Sequence, residues 1–216
     1  MAEKLRYWLG TGGEIEYLKN YLHSVEACLE KAEKDFENWA NEEAAKLPPS
    51  ARDDFQESLS EESWRDREVF PRILRNSFLV TLHSVLENEL AWMCESLRRK
   101  KGISTSWHDR KKGSVLKRLK HYISTECGLD FPTGQSWVEI NSYTAIRNCI
   151  VHNAGSVTGF SKEKELRDYC SKHRGVIDID KDGNLELSKE FCRQAVCTLQ
   201  VFFKDLYDSY EGKKAP

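Results

Sequence analysis

The chain has 216 residues, of which 39% are hydrophobic and 31% charged, and its formal net charge is −2. This length is sufficient for one domain with a sizeable core. No apolar run approaches the roughly 18 residues that a membrane-spanning helix needs. The first residues, Met1–Trp8, lack the apolar stretch of a secretory signal. We therefore expect a single cytoplasmic domain over residues 1–216, without a membrane partner.

Seven cysteines support the same expectation. Their number is odd, they contain no Cys-x-x-Cys pair, and most lie among apolar residues of predicted helices. This usage is typical of buried free thiols in a reducing compartment. Because the spacings never bring two close ligand pairs together, we predict no zinc site. We also expect no other metal and no cofactor.

Hydrophobic residues spaced three and four apart predict two long amphipathic helices in the first half of the chain. The first runs from about Glu14 to Lys46 and ends before Pro48 and Pro49. Residues 50–65 are expected to form a polar connection with one short helix. The second long helix spans about Asp66 to Lys100, and its predicted apolar stripe consists of Leu79, Leu82, Leu86, Leu90, Met93 and Leu97.

Shorter elements follow in the second half. Helices are predicted over about 114–127, 135–152, 161–172 and 188–210. The pattern of residues 176–187, with a Lys-Asp-Gly-Asn turn between two apolar segments, predicts a β-hairpin before the last helix. Asp178, Asp180 and Asp182 imitate the start of a calcium-binding loop, but the twelfth position is Lys189 rather than glutamate, so we interpret the segment as a turn.

Charge is unevenly distributed. Residues 98–120, the basic strip, contain ten Lys or Arg and one acidic residue, which leaves 23 basic and 34 acidic residues elsewhere. Such a strip is either a phosphate-binding surface or a solvated connection between helices. Trp107 within it can stack a base or attach the loop to the bundle. The candidate substrate-binding residues of the strip are Arg110, Lys111, Lys112, Lys117 and Arg118.

The most informative motif is Arg147-Asn148-Cys149-Ile150-Val151-His152. An arginine binds phosphate with a planar fork of donors, and a histidine transfers protons near neutral pH. Asn148 and His152 share a helix face, whereas Arg147 and His152 lie about 140° apart. A helix-stop signal follows at Asn153, so we expect the backbone to bring the His152 ring toward Arg147.

This motif resembles the Arg-x(4–6)-His motif of the HEPN superfamily, including the polar residue directly after the arginine. Residues 84–90, Ser-Val-Leu-Glu-Asn-Glu-Leu, resemble the family's pattern on its second long helix, and the predicted hairpin resembles one found in several HEPN branches. The likeness covers roughly residues 66–210. It implies a mainly α, up-and-down HEPN-like helical bundle, here with a long N-terminal helical hairpin in residues 1–65 as an extension.

The resemblance also implies a function. Many HEPN proteins are metal-independent endoribonucleases that dimerise with their two motifs facing each other, and some act as toxins or defence effectors. His152 would be the general base or acid, Arg147 would hold the scissile phosphate, and Asn148 would orient the histidine or the phosphate. Glu87 on the facing helix is a candidate to hold the arginine fork. Asn153 is added as a substrate-binding residue.

Two expectations about partners follow. RNA and a second copy of the chain are the predicted partners, with an antitoxin or regulatory protein as a further one. Some HEPN toxins carry a tyrosine two residues after the histidine, where a nucleotidyltransferase modifies it, but this position is Ala154 here. The competing hypothesis is a catalytically silent HEPN-like module that only binds RNA or dimerises.

Overall fold

The structure, a computed structural model, describes the backbone of residues 11–212 and the side chains of residues 11–210. The expectation for Met1–Trp8 therefore lies outside the described residues. The α-helices of this part of the chain are α1 (Thr11–Lys46), α2 (Pro49–Ser58), α3 (Ser60–Trp64), α4 (Phe70–Lys101), α5 (Val115–His121), α6 (Gln135–Asn153), α7 (Glu163–Lys172) and α8 (Lys189–Gly212). The prediction of a mainly α fold is confirmed.

The two long helices begin and end close to their predicted bounds, whereas the connection between them is more ordered than predicted. Residues 50–65 were expected to contain one short helix, but α2, α3 and a π-helical turn at Arg65–Val69 occupy this region. A second π-helical turn, Tyr122–Glu126, continues α5. The apolar spacing of these turns is the same as that of an α-helix over one turn, so the sequence does not distinguish them.

Only the first half of α1 contributes to the main core. Ile15 and Leu22 are buried against the rest of the bundle. Leu18 and Leu29, which continue the apolar spacing of three and four along the helix, are half-buried. Farther along α1, Trp39 is 46% exposed and packs on the rings of Phe36 and Phe55. The far end of the helix therefore packs against α2 rather than on the core.

The core lies between α4, α6 and α8. All six residues of the predicted α4 stripe are buried, and one continuous cluster of buried apolar side chains connects them with α1, α5 and the hairpin. The predicted N-terminal extension and the predicted 66–210 core thus share this cluster. All seven cysteines are free, and only Cys28 and Cys197 are exposed.

The hairpin lies against the segment that leaves α6. Strands β1 (Ile177–Ile179) and β2 (Leu185–Leu187) pair antiparallel, with Ile177 opposite Leu187. The β2 end of the turn also bonds to the α6 exit, because the Leu185 amide donates to the Gly155 carbonyl at 2.9 Å and the Val157 amide to the Gly183 carbonyl at 2.8 Å. The hairpin therefore fixes the position at which α6 ends.

Asp180 explains the calcium-like pattern of the turn. Its carboxylate accepts hydrogen bonds from the backbone amides of Asp182 and Asn184 and from the Asn184 side chain. The carboxylate oxygens are thus used to close the turn. No group of three or more metal-binding side chains occurs within residues 11–210. Within the described helices, none is both long and apolar enough to cross a bilayer.

A buried ion pair connects α1 to α4. Arg75 donates from Nε and Nη2 to the two carboxylate oxygens of Glu26, at 2.8 and 3.0 Å, and Glu26 is only 1% exposed. The Arg75 Nη1 also donates to the Leu187 carbonyl at 3.4 Å. This side chain therefore connects α1, α4 and β2.

We expect Arg75→Ala to lower the free energy of unfolding by about 3 kcal/mol, because it leaves the Glu26 carboxylate buried and unpaired. Urea denaturation followed by circular dichroism measures this loss. Arg72→Ala is the matched control, since Arg72 is exposed on the same helix one turn away. Equal losses in the two variants would show that the ion pair adds nothing particular to stability.

Candidate functional site

Arg147 lies where α6 packs against α4, and it is partly buried. Its Nη1 donates to the Asn148 Oδ1 at 3.0 Å, while its Nε is fully buried without a partner among the described residues. No carboxylate lies within 4 Å of the guanidinium in the described part of the chain. A partly buried arginine without a neutralising partner is costly in free energy, and such an arrangement is suited to binding an anion.

The Asn148 side chain contacts the motif arginine. The prediction left open whether it would orient the histidine or the phosphate, and in the structure its side-chain oxygen accepts the hydrogen bond from Arg147. Asn148 is half-buried on the same helix face as His152. Its amide nitrogen has no hydrogen bond to any described residue.

Glu87 and His83 lie one turn apart on α4, the helix against which α6 packs. Glu87 does not hold the arginine fork as expected: it makes no ion pair or hydrogen bond with Arg147 within the described residues, and its carboxylate lies 3.9 Å from the Nδ1 of buried His83. Burial raises the pKa of Glu87, and the positive charges of Arg147 and then Arg118 act against this increase. Burial, and secondly the Arg147 charge, lower the pKa of His83 to about 4. His83 is therefore neutral at neutral pH.

His152 lies in the last turn of α6 and is exposed. The helix continues to Asn153, and the left-handed residue Ala154, with φ 51°, ends it. The backbone therefore does not bring the His152 ring toward Arg147 as expected, and helical geometry places the two side chains about 140° apart. The His152 ring makes no hydrogen bond to a described residue, which leaves both nitrogens available to a ligand.

Asn153 has a structural contact. Its Nδ2 donates to the carbonyls of Ser156 and Thr158 and so fastens the loop that follows the helix. The Cys149 thiol donates to the same Ser156 carbonyl at 3.1 Å. Asn153 was predicted to bind substrate, and the structure places its amide nitrogen on its own loop.

Some cations of the basic strip bind other residues of the chain, and others are exposed without a partner among the described residues. Arg98 and Arg99 bind Glu95, and Lys101 donates to the Cys127 carbonyl. Arg118 lies over the ring of Trp107, 5.2 Å from its centre, which attaches the loop to the bundle. The cations whose side chains are exposed and bind no described residue are Arg110, Lys111, Lys112 and Lys117.

Arg118 belongs to the basic strip and also lies near the α4 carboxyl group of Glu87. The charges of Arg147 and then Arg118 both favour the ionised form of Glu87 against the effect of burial. The Arg118 Nη1 also donates to the Arg110 carbonyl at 3.4 Å. Arg118 is thus joined to the exposed loop at 110–112, and its charge and that of Arg147 act on the same carboxyl group.

Two cavities lie away from this surface. One of about 880 Å³ is found between α6 and α7 and is lined by Glu139, Tyr169 and His173 among others. Another of about 730 Å³ lies between the start of α4 and the hairpin. Neither Arg147 nor His152 lines these two cavities.

Comparison of the chain with protein-family models, with curated proteins and with solved structures finds no match. The HEPN resemblance therefore depends on the motif and its surroundings alone.

Sequence reasoning assigned no part in the site to His83 or Thr144. A spacing of four residues places His83 and Glu87 on one face of a helix, which by itself indicates a polar contact and no role for His83 in the site. The contact between His83 and Thr144, 3.2 Å between Nε2 and Oγ1, joins α4 to α6. Only the packing of these two helices brings the residues together.

If the basic strip binds RNA, Lys111→Ala with Lys112→Ala should weaken RNA binding and flatten its salt dependence. Each lost phosphate contact reduces the slope of log K against log salt by about 0.7 for a single strand. Fluorescence anisotropy with a labelled RNA over a series of salt concentrations measures both quantities. Lys31→Ala with Lys34→Ala on α1 is the control pair, since both lysines are exposed on another helix. An unchanged slope in the strip variant would remove the loop from the binding surface.

Proposed function

We propose that the protein is a metal-independent endoribonuclease of the HEPN type that acts as a homodimer. The observation that carries this proposal is the Arg147 guanidinium, which is partly buried, bound to Asn148 and free of any carboxylate partner within the described residues. It lies on a helix that ends in an exposed histidine, and four cations of the basic strip, Arg110, Lys111, Lys112 and Lys117, are exposed and bind no described residue. A phosphodiester supplies the negative charge that this arrangement lacks.

The chemistry requires two proton transfers. A base removes the proton of the ribose 2′-hydroxyl, the 2′-oxygen attacks the phosphorus, and the bond to the 5′-oxygen breaks as an acid protonates it. The products are a 2′,3′-cyclic phosphate and a 5′-hydroxyl. His152 is suited to either proton transfer, since its ring is exposed and unbonded. Arg147 stabilises the charge that develops on the phosphoryl oxygens.

Helix geometry supports a dimer as the active form. Arg147 and His152 of one chain lie about 140° apart around α6, so they do not converge on one phosphate within a subunit. A two-fold axis beside α6 would bring the arginine of one copy toward the histidine of the other. Exposed Val151, four residues after Arg147 on the same side of α6, supplies apolar surface for such a contact. A toxin or defence setting, an antitoxin or regulatory partner and a cytoplasmic location belong to the same proposal and depend on the resemblance alone.

The alternative is a catalytically silent HEPN-like module that binds RNA or dimerises. The angular separation of Arg147 and His152 within one chain favours it, as does the use of the Asn153 amide in the loop. In that case the basic strip binds RNA without cleavage. The two hypotheses differ in whether RNA is cut in the absence of metal.

We expect the wild-type protein to cleave single-stranded RNA in EDTA and His152→Ala to reduce the rate by about 10²–10⁴, the usual contribution of positioned proton transfer. Gel electrophoresis of labelled RNA, with detection of the cyclic phosphate end, measures this. His23→Ala on α1, also an exposed histidine, is the matched control and should leave cleavage unchanged. Cleavage that survives the loss of His152 would refute the proposed site, and no cleavage by the wild type on varied RNAs would favour the silent module.

A mixing experiment tests the dimer directly. Arg147→Ala and His152→Ala should each be inactive, and their mixture after subunit exchange should recover part of the activity, because one of the two sites in a mixed dimer then contains both native residues. Size-exclusion chromatography with light scattering gives the oligomeric state. A mixture that stays inactive although mixed dimers form would mean that both residues act within the same subunit.

A further inference from the structure

Two buried polar atoms at the α4–α6 contact lack partners and are complementary. The Nδ1 of His83 and the Nε of Arg147 are both fully buried without a hydrogen-bond partner among the described residues. An arginine Nε–H can only donate, and a neutral histidine has one nitrogen that accepts. Unpaired buried polar atoms are rare because each costs about 1–3 kcal/mol.

The contacts of Thr144 assign the proton on His83. The Thr144 hydroxyl donates its hydrogen to the Ile140 carbonyl at 2.7 Å. Toward the His83 Nε2, 3.2 Å away, the same oxygen must therefore accept, so Nε2 carries the proton. The Nδ1 lone pair is left as the acceptor, on the side of the ring that faces Glu87.

The charges around the ring agree with this assignment. Thr144 and Arg147 are three residues apart and share a face of α6, so the contact between His83 and Thr144 places the ring on the side of α6 that carries Arg147. Burial, and secondly the Arg147 charge, keep this ring neutral at neutral pH. A neutral imidazole accepts from a guanidinium without repelling it. Glu87 is less suited to pair with the Nδ1 lone pair, because an ionised carboxylate has no proton to donate to it. Glu87 also forms no ion pair with Arg147 within the described residues.

We infer that His83 is a positioning residue for Arg147: its Nδ1 accepts a hydrogen bond from the arginine Nε–H, directly or through one water molecule. With Nη1 bound to Asn148 and Nε bound to His83, the guanidinium plane is held at two points. Its Nη2 side, which binds no described residue, is then directed to a phosphate. The functional part of this inference rests on the proposed ribonuclease activity, whereas the hydrogen bond itself does not.

The bond can be tested on the protein alone. In ¹H–¹⁵N NMR spectra the Arg147 Nε–H signal, identified by its absence in Arg147→Lys, should exchange slowly with water. Two substitutions of His83 separate its two nitrogens, because an asparagine oxygen can replace Nδ1 as acceptor, while a glutamine amide can replace Nε2 as donor to Thr144. His83→Asn should retain slow exchange of the Nε–H, and His83→Gln should lose it.

Three results would overturn the inference. One is slow exchange that persists in His83→Gln when circular dichroism shows a native fold. Another is a rapidly exchanging Nε–H in the wild type. The third is loss of slow exchange in Glu87→Gln but not in His83→Gln, which would make the carboxylate the partner.

A double-mutant cycle measures the functional consequence. With a 2′-O-methylated RNA that cannot be cleaved, His83→Gln should weaken binding at least about tenfold, as expected for a lost hydrogen bond to a charged group. The same substitution should have no further effect in the Arg147→Ala background, since its target is absent. Equal effects in both backgrounds would indicate a merely structural role for His83. A slow Nε–H signal in a protein that neither binds nor cuts RNA would leave the bond standing and refute the proposed function instead.

Discussion

The arrangement of the site depends on a positive charge that is partly removed from water between two helices. The Arg147 guanidinium has one side-chain hydrogen bond, to its neighbour Asn148, and no carboxylate partner within the described residues. Removing a charge from water is costly unless other groups or a ligand offset the cost. Burial, and secondly the Arg147 charge, lowers the pKa of His83, whereas burial raises the pKa of Glu87 and the Arg147 charge opposes this increase. The position of the arginine thus favours a neutral His83 and an ionised Glu87.

A second constraint is the position of the α6 end, which is held by hydrogen bonds to the hairpin. Ala154 and Gly155 both adopt left-handed backbone angles, and the Gly155 carbonyl accepts from the Leu185 amide. At Gly183, where φ is 87°, a Cβ atom would lie 2.7 Å from the Thr158 Oγ1, so only glycine fits. His152 therefore belongs to a helix end that is anchored by residues some thirty positions later in the chain. Its exposure is a property of this anchored turn.

The elements themselves were predictable, and the reason is local. The spacing of Leu82, Leu86 and Leu90 on α4 defines one apolar face, and all three are buried. The same argument was less reliable for α1, where periodicity continues beyond Leu29 but no core remains to receive it. Trp39 is consequently half exposed. A periodic pattern indicates which side of a helix is apolar, but it does not indicate how far the partner surface extends.

The site was predictable in its composition and only partly in its geometry. The basic strip, the motif arginine and the motif histidine are visible in the sequence, because they depend on residue type and short spacings. Their orientation depends on where a helix ends, and here α6 continues one residue beyond His152. Because His152 is still within the helix, Arg147 and His152 lie on different faces of α6 rather than side by side.

By itself the sequence determined the helices, the hairpin and the concentration of positive charge, since these follow from short-range spacing and composition. Tertiary structure alone decided that His83 of α4 contacts Thr144 of α6, one turn before Arg147, that Arg118 lies over Trp107, and that Asn153 binds its own loop. These contacts join residues that are far apart in the chain or depend on the exact exit of a helix. They form only when α4, α5 and α6 pack, because the burial of their apolar faces brings the polar side chains together at the edge of the core.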